Sequence, residues 1–297
     1  MLNIELHRIK NTLLPNVLNR GGVRADVLRL DLIHPVISGN KIFKLKEYLG
    51  EAEALKAKTI ITFGGAYSNH IIATAAACQL AGLNAVGVIR GEQPSNLSPT
   101  LIEAKKLGME LIYVSRDQYK LGVIPDFILQ QYSNYYIVPE GGYGSNGMLG
   151  AKEILGKDTE SYTHIMCAVG TGTTLAGLVQ ASKKHQQIIG ISVLKNHFSL
   201  ADRVNDLISE SKKNSFTLVH EFHFGGYAKV NADLIQFMNL LFKQTAIPSD
   251  FVYTAKLFFA FHDLNKNGFF PEGSNILLIH SGGLQGNLSL PKGTLIF

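Results

Sequence analysis

Short apolar, β-rich runs alternate along this chain with longer stretches whose apolar positions fall at helical spacing. Thr59–Phe63 reads as a buried strand ended by Gly64-Gly65. The Ala-rich segment His70–Leu80 follows as a helix stopped by Gly82. Strands are predicted at Ala85–Ile89, Glu110–Val114, Tyr135–Val138, His164–Val169, Ile188–Val193 and Ile276–His280. Helices are predicted at Ser98–Leu107, Thr174–Lys184, Asn231–Gln244 and Thr254–Asn267. A further helix starts near Lys41, with apolar residues at 42, 45 and 49. Strands that alternate with helices imply an α/β fold of mostly parallel sheets with helices on both faces. In such sheets ligands bind beyond the carboxyl ends of the strands. The glycine-rich stretch Glu140–Gly147 reads either as a crossing between two domains or as a plain surface loop.

Composition narrows the function classes. The 297 residues are 46% hydrophobic and 17% charged, enough for one large core or two smaller ones, and the length favours two domains. The net charge of +5 is spread in short lysine pairs rather than an aromatic-interleaved stripe, so nucleic-acid binding has little support. No apolar run is long enough to span a bilayer. Met1–Leu6 carries no basic segment leading into an apolar one, and a reducing cytoplasm is expected. Cys78 and Cys167 sit in apolar segments and read as buried small hydrophobes.

Four segments have the residues for chemistry. In Ser38-Gly39-Asn40-Lys41, the helix start disfavours a lysine's charge and favours the neutral amine that carbonyl chemistry needs. The plain alternative is a solvated surface lysine, and Lys44 and Lys46 read as surface charges. Gly64–His70 joins a strand to a helix, with Ser68 or Asn69 placed to cap it. Gly170-Thr171-Gly172-Thr173-Thr174 opens a helix with glycines and hydroxyls, the ingredients of a phosphate cradle. It is not a Walker A loop, and Leu175 stands where a dinucleotide fingerprint needs its third glycine, which argues against a nicotinamide oxidoreductase. Tyr253-Thr254-Ala255-Lys256 and His280-Ser281-Gly282-Gly283 put hydroxyls at element ends. The run His220-Glu221-Phe222-His223 reads as a strand, which would send its two histidines to opposite faces and disfavours a metal site. No G-x-S-x-G elbow supports a serine hydrolase.

Taken in order, these segments resemble the family of 1-aminocyclopropane-1-carboxylate (ACC) deaminases and D-cysteine desulfhydrases. The resemblance spans nearly the whole chain and rests on Gly39-Asn40-Lys41 with Lys44-Leu45, Ser68-Asn69-His70, Gly170–Thr174, Asp250–Lys256 and His280–Gly283. It implies pyridoxal phosphate as cofactor and fold type II, the tryptophan-synthase-β-like arrangement of two domains, each an open, mostly parallel sheet flanked by helices. The large domain would comprise residues 1–43 and 147–297, the small one 44–146. By the same resemblance Lys41 is the Schiff-base lysine, and Asn69 bonds the cofactor's ring hydroxyl. Ser68 contacts the substrate carboxylate or the reacting carbon. Gly170, Thr171, Gly172, Thr173 and Thr174 hold the phosphate. Tyr253 and Tyr227 match the active-site tyrosines, and a homodimer is expected.

Two positions depart from the ACC deaminase pattern. Thr254 stands where those enzymes carry the glutamate that pairs with the pyridine nitrogen, and Ser281 stands where they carry leucine. D-cysteine desulfhydrases carry hydroxyl residues at both places. A hydroxyl does not keep the ring nitrogen protonated as a carboxylate does, so the ring is a weaker electron sink. The expectation is therefore a lyase acting by α,β-elimination on a small amino acid such as D-cysteine, with ACC ring opening as the alternative. A binding or regulatory protein on the same fold is the non-enzyme alternative, and the retained Lys41 speaks against it.

Overall fold

The computed structural model describes residues 11–13 and 22–297; Met1–Leu6 and most of the expected large domain's first 21 residues lie outside the described residues. In chain order the elements are β1 (Asn11–Leu13), β2 (Arg24–Arg29), α1 (Asn40–Ala54), β3 (Thr59–Gly64), α2 (Asn69–Ala81), β4 (Asn84–Arg90), α3 (Pro99–Lys106) and β5 (Met109–Val114). Then come α4 (Arg116–Lys120), α5 (Asp126–Gln131), β6 (Tyr135–Val138), α6 (Ser145–Lys152), β7 (His164–Val169), α7 (Thr173–Ala181) and β8 (Gln187–Ser192). The chain ends with α8 (Leu200–Asn205), β9 (Phe216–Val219), α9 (Ala232–Thr245), α10 (Thr254–Lys266) and β10 (Asn275–His280).

Two sheets result. The smaller is parallel throughout, in the order β5-β4-β3-β6. The larger runs β1-β2-β10-β7-β8-β9 and is parallel except for the edge pair β1–β2. Every residue of β3 and of β7 is buried, as parallel strands covered on both faces require. One apolar cluster runs from Ile60 and Ile89 beneath the small sheet to Ile165 and Ile279 in the large one. Both cysteines are free and buried within it. Among the described residues no helix is long and apolar enough to cross a membrane.

The predicted elements appear, with ends shifted by a few residues. Helix α7 stops at Ala181, three residues short of the expected end, because the Ser182 hydroxyl turns back to the Val179 carbonyl. His220–His223 is not a strand: β9 ends at Val219 and the chain turns there. Strand β2 escaped prediction because Arg24, Asp26 and Arg29 interrupt its apolar run. The stretch after Glu140 is no plain surface loop, since it leads into α6, which is wedged between α1 and α7. A side chain at position 150 would reach to 1.9 Å from the Phe43 carbonyl, and one at 177 to 2.5 Å from Ala151 Cβ, so only glycine permits this spacing. The wedge brings the starts of α1 and α7 together, and those two starts carry Lys41 and the glycine–threonine loop.

Candidate active site

The loops beyond the carboxyl ends of β3, β6, β7, β8 and β10 converge on a cavity of about 350 Å³ between the two sheets. Lys41 lies on its wall one residue into α1. The start of that helix is locked to the end of β10. Gly39, at φ +72°, lets its Cα lie against the Ser281 carbonyl, where any Cβ would come within 1.8 Å. The same carbonyl accepts from the Asn40 amide at 3.2 Å. Burial pulls the Lys41 amine down to about 8, partly opposed by the Asp250 carboxylate. Lys41 donates to Asn40 Oδ1 at 3.2 Å, and Asn40 Nδ2 donates to Thr174 Oγ1 at 2.7 Å. A single carboxamide thus ties the amine to the loop that follows β7.

In that loop Gly170, Thr171, Gly172 and Thr174 line the cavity at the N-terminus of α7, with Gly172 turned at φ +91°. Thr173 does not: it is fully buried and its hydroxyl pairs with that of Thr171 at 3.2 Å. Lys44 is no surface charge. It is 2% exposed, lines the cavity and donates to the Gly141 carbonyl at 3.0 Å. Its amine is held well below the ordinary lysine range, by burial first and then by the charge of Lys41. Lys46 does remain on the surface, paired with Glu153 at 2.7 Å. A buried amine with no carboxylate partner among the described residues, beside a helix N-terminus with open amides, suits a bound anion, whose charge would favour the protonated form. The signal for Lys44 was its spacing: three residues on from Lys41, it shares that residue's helix face.

Ser68 caps α2, accepting from the Ile71 amide, and the loop before it is tied down by the Ser98 hydroxyl at the Ala66 carbonyl. Asn69 Oδ1 is buried and has no partner among the described residues, an acceptor left for something the cavity holds. His70 is buried on the same wall and held well below the usual histidine range, chiefly by burial and then by Lys41 and Lys44. Its Nε2 lies 2.8 Å from Thr62 Oγ1, whose own proton goes to the Val138 carbonyl. The ring therefore donates from Nε2, and Nδ1 has no hydrogen-bond partner among the described residues.

On the facing wall, Tyr253 lies against Gly170 and Tyr227 against Tyr253, with ring centroids 6.0 Å apart. Ser281 lines the cavity, but Thr254 does not. The Thr254 hydroxyl donates to Asp250 Oδ1 and accepts from the Asp250 amide, both at 2.7 Å, which makes it part of a helix cap. Asp250 is fully buried and saturated. Oδ1 also accepts from the Thr254 amide, and Oδ2 accepts from the Val252 and Tyr253 amides, each at 2.9 Å.

The lone acceptor on Asn69, the buried Lys44 amine and the glycine cradle together fit a cofactor with a ring hydroxyl and a phosphate. The model of the pyridoxal-phosphate-dependent enzyme family matches residues 9–282. The chain belongs to that family. Among relatives, a Pyrococcus furiosus protein named provisionally as an ACC deaminase is 31% identical over 96% of this chain and 92% of its own length. The bifunctional D-cysteine desulfhydrase/ACC deaminase of Arabidopsis thaliana, a mitochondrial protein, is 28% identical over 96% of this chain and 77% of its own. The crystal structure of an ACC deaminase homologue superposes with a TM-score of 0.83 at 29% identity, covering 96% of this chain and 92% of that one. The protein is a fold type II pyridoxal-phosphate enzyme of the ACC deaminase/D-cysteine desulfhydrase family.

Proposed function

We propose that this enzyme deaminates a small amino acid by α,β-elimination, with D-cysteine the first candidate, giving pyruvate, ammonia and sulfide. The observation that carries this reading is the state of the carboxylates on the cavity wall. They are Asp250, with both oxygens saturated by the chain's own donors, and Glu140, exposed at the mouth. With Thr254 turned to Asp250, Ser281 alone is left to meet the pyridine nitrogen. A hydroxyl there leaves the ring the weaker sink, which suffices when a thiol is the leaving group. Opening a cyclopropane ring, with no Cα proton to remove, demands more.

When bound, pyridoxal phosphate supplies a sink for negative charge developing at the substrate Cα. Lys41 would hold it covalently, Asn69 its ring hydroxyl, and the 170–174 loop its phosphate, with Lys44 as countercharge. Lys41, brought by burial within reach of the neutral form, takes the proton from the substrate Cα. Ser68, at the N-terminus of α2, binds the substrate carboxylate. Tyr227 and Tyr253 shape the pocket on the leaving-group side. Burial first, then Tyr227, holds the Tyr253 phenol well above its ordinary range, so it keeps its proton as a donor.

The test is kcat/KM for D-cysteine, L-cysteine, β-chloro-D-alanine and ACC on one preparation, with Lys41→Ala protein as the blank. D-Cysteine or β-chloro-D-alanine should be turned over more efficiently than ACC. Efficient use of ACC with none of D-cysteine would establish the ring-opening alternative, which the names of the relatives favour. Inactivity on all four would assign the site to another amino acid.

A further inference from the structure

Lys256 belongs to no part of the site described above, yet its ammonium is among the most deeply buried polar groups in the molecule. Its side chain is 0% exposed in the first turn of α10, behind the cavity wall rather than on it. It does not cap a charge. It donates to two backbone carbonyls, His223 at 2.9 Å and Gly226 at 2.8 Å. Those carbonyls are the first and last of one tight turn, closed by the Gly226 amide on the His223 carbonyl at 2.9 Å. The Gly226 carbonyl also starts the next turn, accepting from the Lys229 amide at 3.2 Å. Between and after them Phe224, Gly225, Gly226 and Ala228 all have positive φ, from +51° to +117°. Two of the four are not glycine, so the loop holds a backbone shape that local sequence disfavours.

Tyr227 is the residue directly after Gly226. Helix α10 grips it twice. Tyr253, just before the first turn, packs on its ring, and Lys256, three residues on, holds the backbone that presents it. We infer that Lys256 is the positioning residue for Tyr227, an internal strut that fixes the 223–228 loop against the active site without touching cofactor or substrate. The kinetic part of this inference rests on the role proposed above for Tyr227; the structural part does not.

The protein contains no tryptophan, so Tyr227→Trp creates a single fluorescent reporter on the loop. Tyr227 is about half-exposed, so in the holoenzyme with Lys256 intact its emission should be that of a held, partly shielded indole, quenched by acrylamide clearly less than a free indole. Adding Lys256→Met should red-shift the emission and raise quenching several-fold, and Lys256→Gln, which keeps two N–H donors, should restore part of the difference. Without the reporter, Lys256→Met should lower kcat/KM about tenfold, since misplacing a group by about an ångström costs up to about a hundredfold. On a Tyr227→Phe background it should lower kcat/KM no further, because both changes remove one placed tyrosine. Unchanged emission and quenching in Lys256→Met overturns the inference, and so does additivity in the double variant. Should Lys256→Met not fold, an indole quenched as fully as free tryptophan with Lys256 present overturns it equally. If Tyr227→Phe leaves turnover untouched while the reporter still responds to Lys256→Met, the role of Tyr227 falls and the strut stands.

Discussion

Two loops of the large sheet reach the cavity by opposite means. The 170–174 loop is built mainly from its own sequence: a buried strand, two glycines, and hydroxyls that bond one another as α7 begins, with one tether from Asn40 of α1 to Thr174. The 223–228 loop has no element leading out of it for several residues, and its shape depends on Lys256, thirty residues further on. The first shape is set mainly by its own residues; the second is imposed. A mainly local loop can be read from sequence and broken chiefly at its own residues, whereas an imposed loop can be broken from a distance.

Gly172→Val should produce the largest effect, because it attacks the local loop where it has no reserve. A Cβ there lies 3.0 Å from Val204 on a backbone at φ +91°. Affinity for pyridoxal phosphate, read from the absorbance of the bound cofactor, should fall about a hundredfold, or about 3 kcal/mol. The fold should lose only about 1–2 kcal/mol. Unchanged cofactor affinity would remove the phosphate from this loop.

Thr254→Val comes next and separates scaffold from site on the element that supports the second loop. It strips a buried hydroxyl from Asp250 and leaves the Asp250 amide without a partner, so the fold should lose about 1–3 kcal/mol in chemical denaturation. The absorbance and affinity of bound cofactor should not move. A loss of cofactor affinity at full stability would instead return Thr254 to the cofactor site.

The smallest effect is a pH dependence of the cofactor-free protein. Burial lowers Lys41 and Lys256 to about 8 from 10.5, and burial with the Lys41 charge holds Lys44 well below the ordinary lysine range. Above about pH 8 the unfolded chain holds protons that the folded one has released, so stability should rise as pH rises. Cys78 and Cys167 run the other way, pushed by burial from 9.0 up to about 12, and they oppose the gain above pH 9. The denaturation midpoint should therefore be higher at pH 9 than at pH 7.5, and less so in Lys256→Met protein. A lower midpoint at pH 9 would mean that these lysines keep their charge in the folded state.

The same division explains what could be read in advance. Strands β3, β7 and β10 stand out as unbroken apolar runs because parallel strands are covered on both faces. Lys41, Ser68, Asn69 and the 170–174 loop each sit beside such a signal. Lys44 was misjudged because one lysine on a helix looks like any other until the neighbouring helix is placed. Thr254 shows the converse, since its type suggested a ligand contact and only the position of Asp250 reveals a cap. Lys256 left a faint trace as the one charge in the apolar turn Ala255–Ala260, but its acceptors are backbone carbonyls, which no residue type announces.

The carboxamide of Asn40 gives this site a direction. An ammonium can only give protons, so the amide oxygen must face Lys41 and the amide nitrogen must face Thr174. Thr174 receives, and its single proton is released toward the cavity as a donor to whatever anion enters. A carboxylate of the same shape at position 40 would accept from both neighbours and draw that proton away, turning the hydroxyl's back on the cradle. One nitrogen atom in place of an oxygen thus decides whether the mouth of α7 greets a phosphate with a hydrogen or with a lone pair.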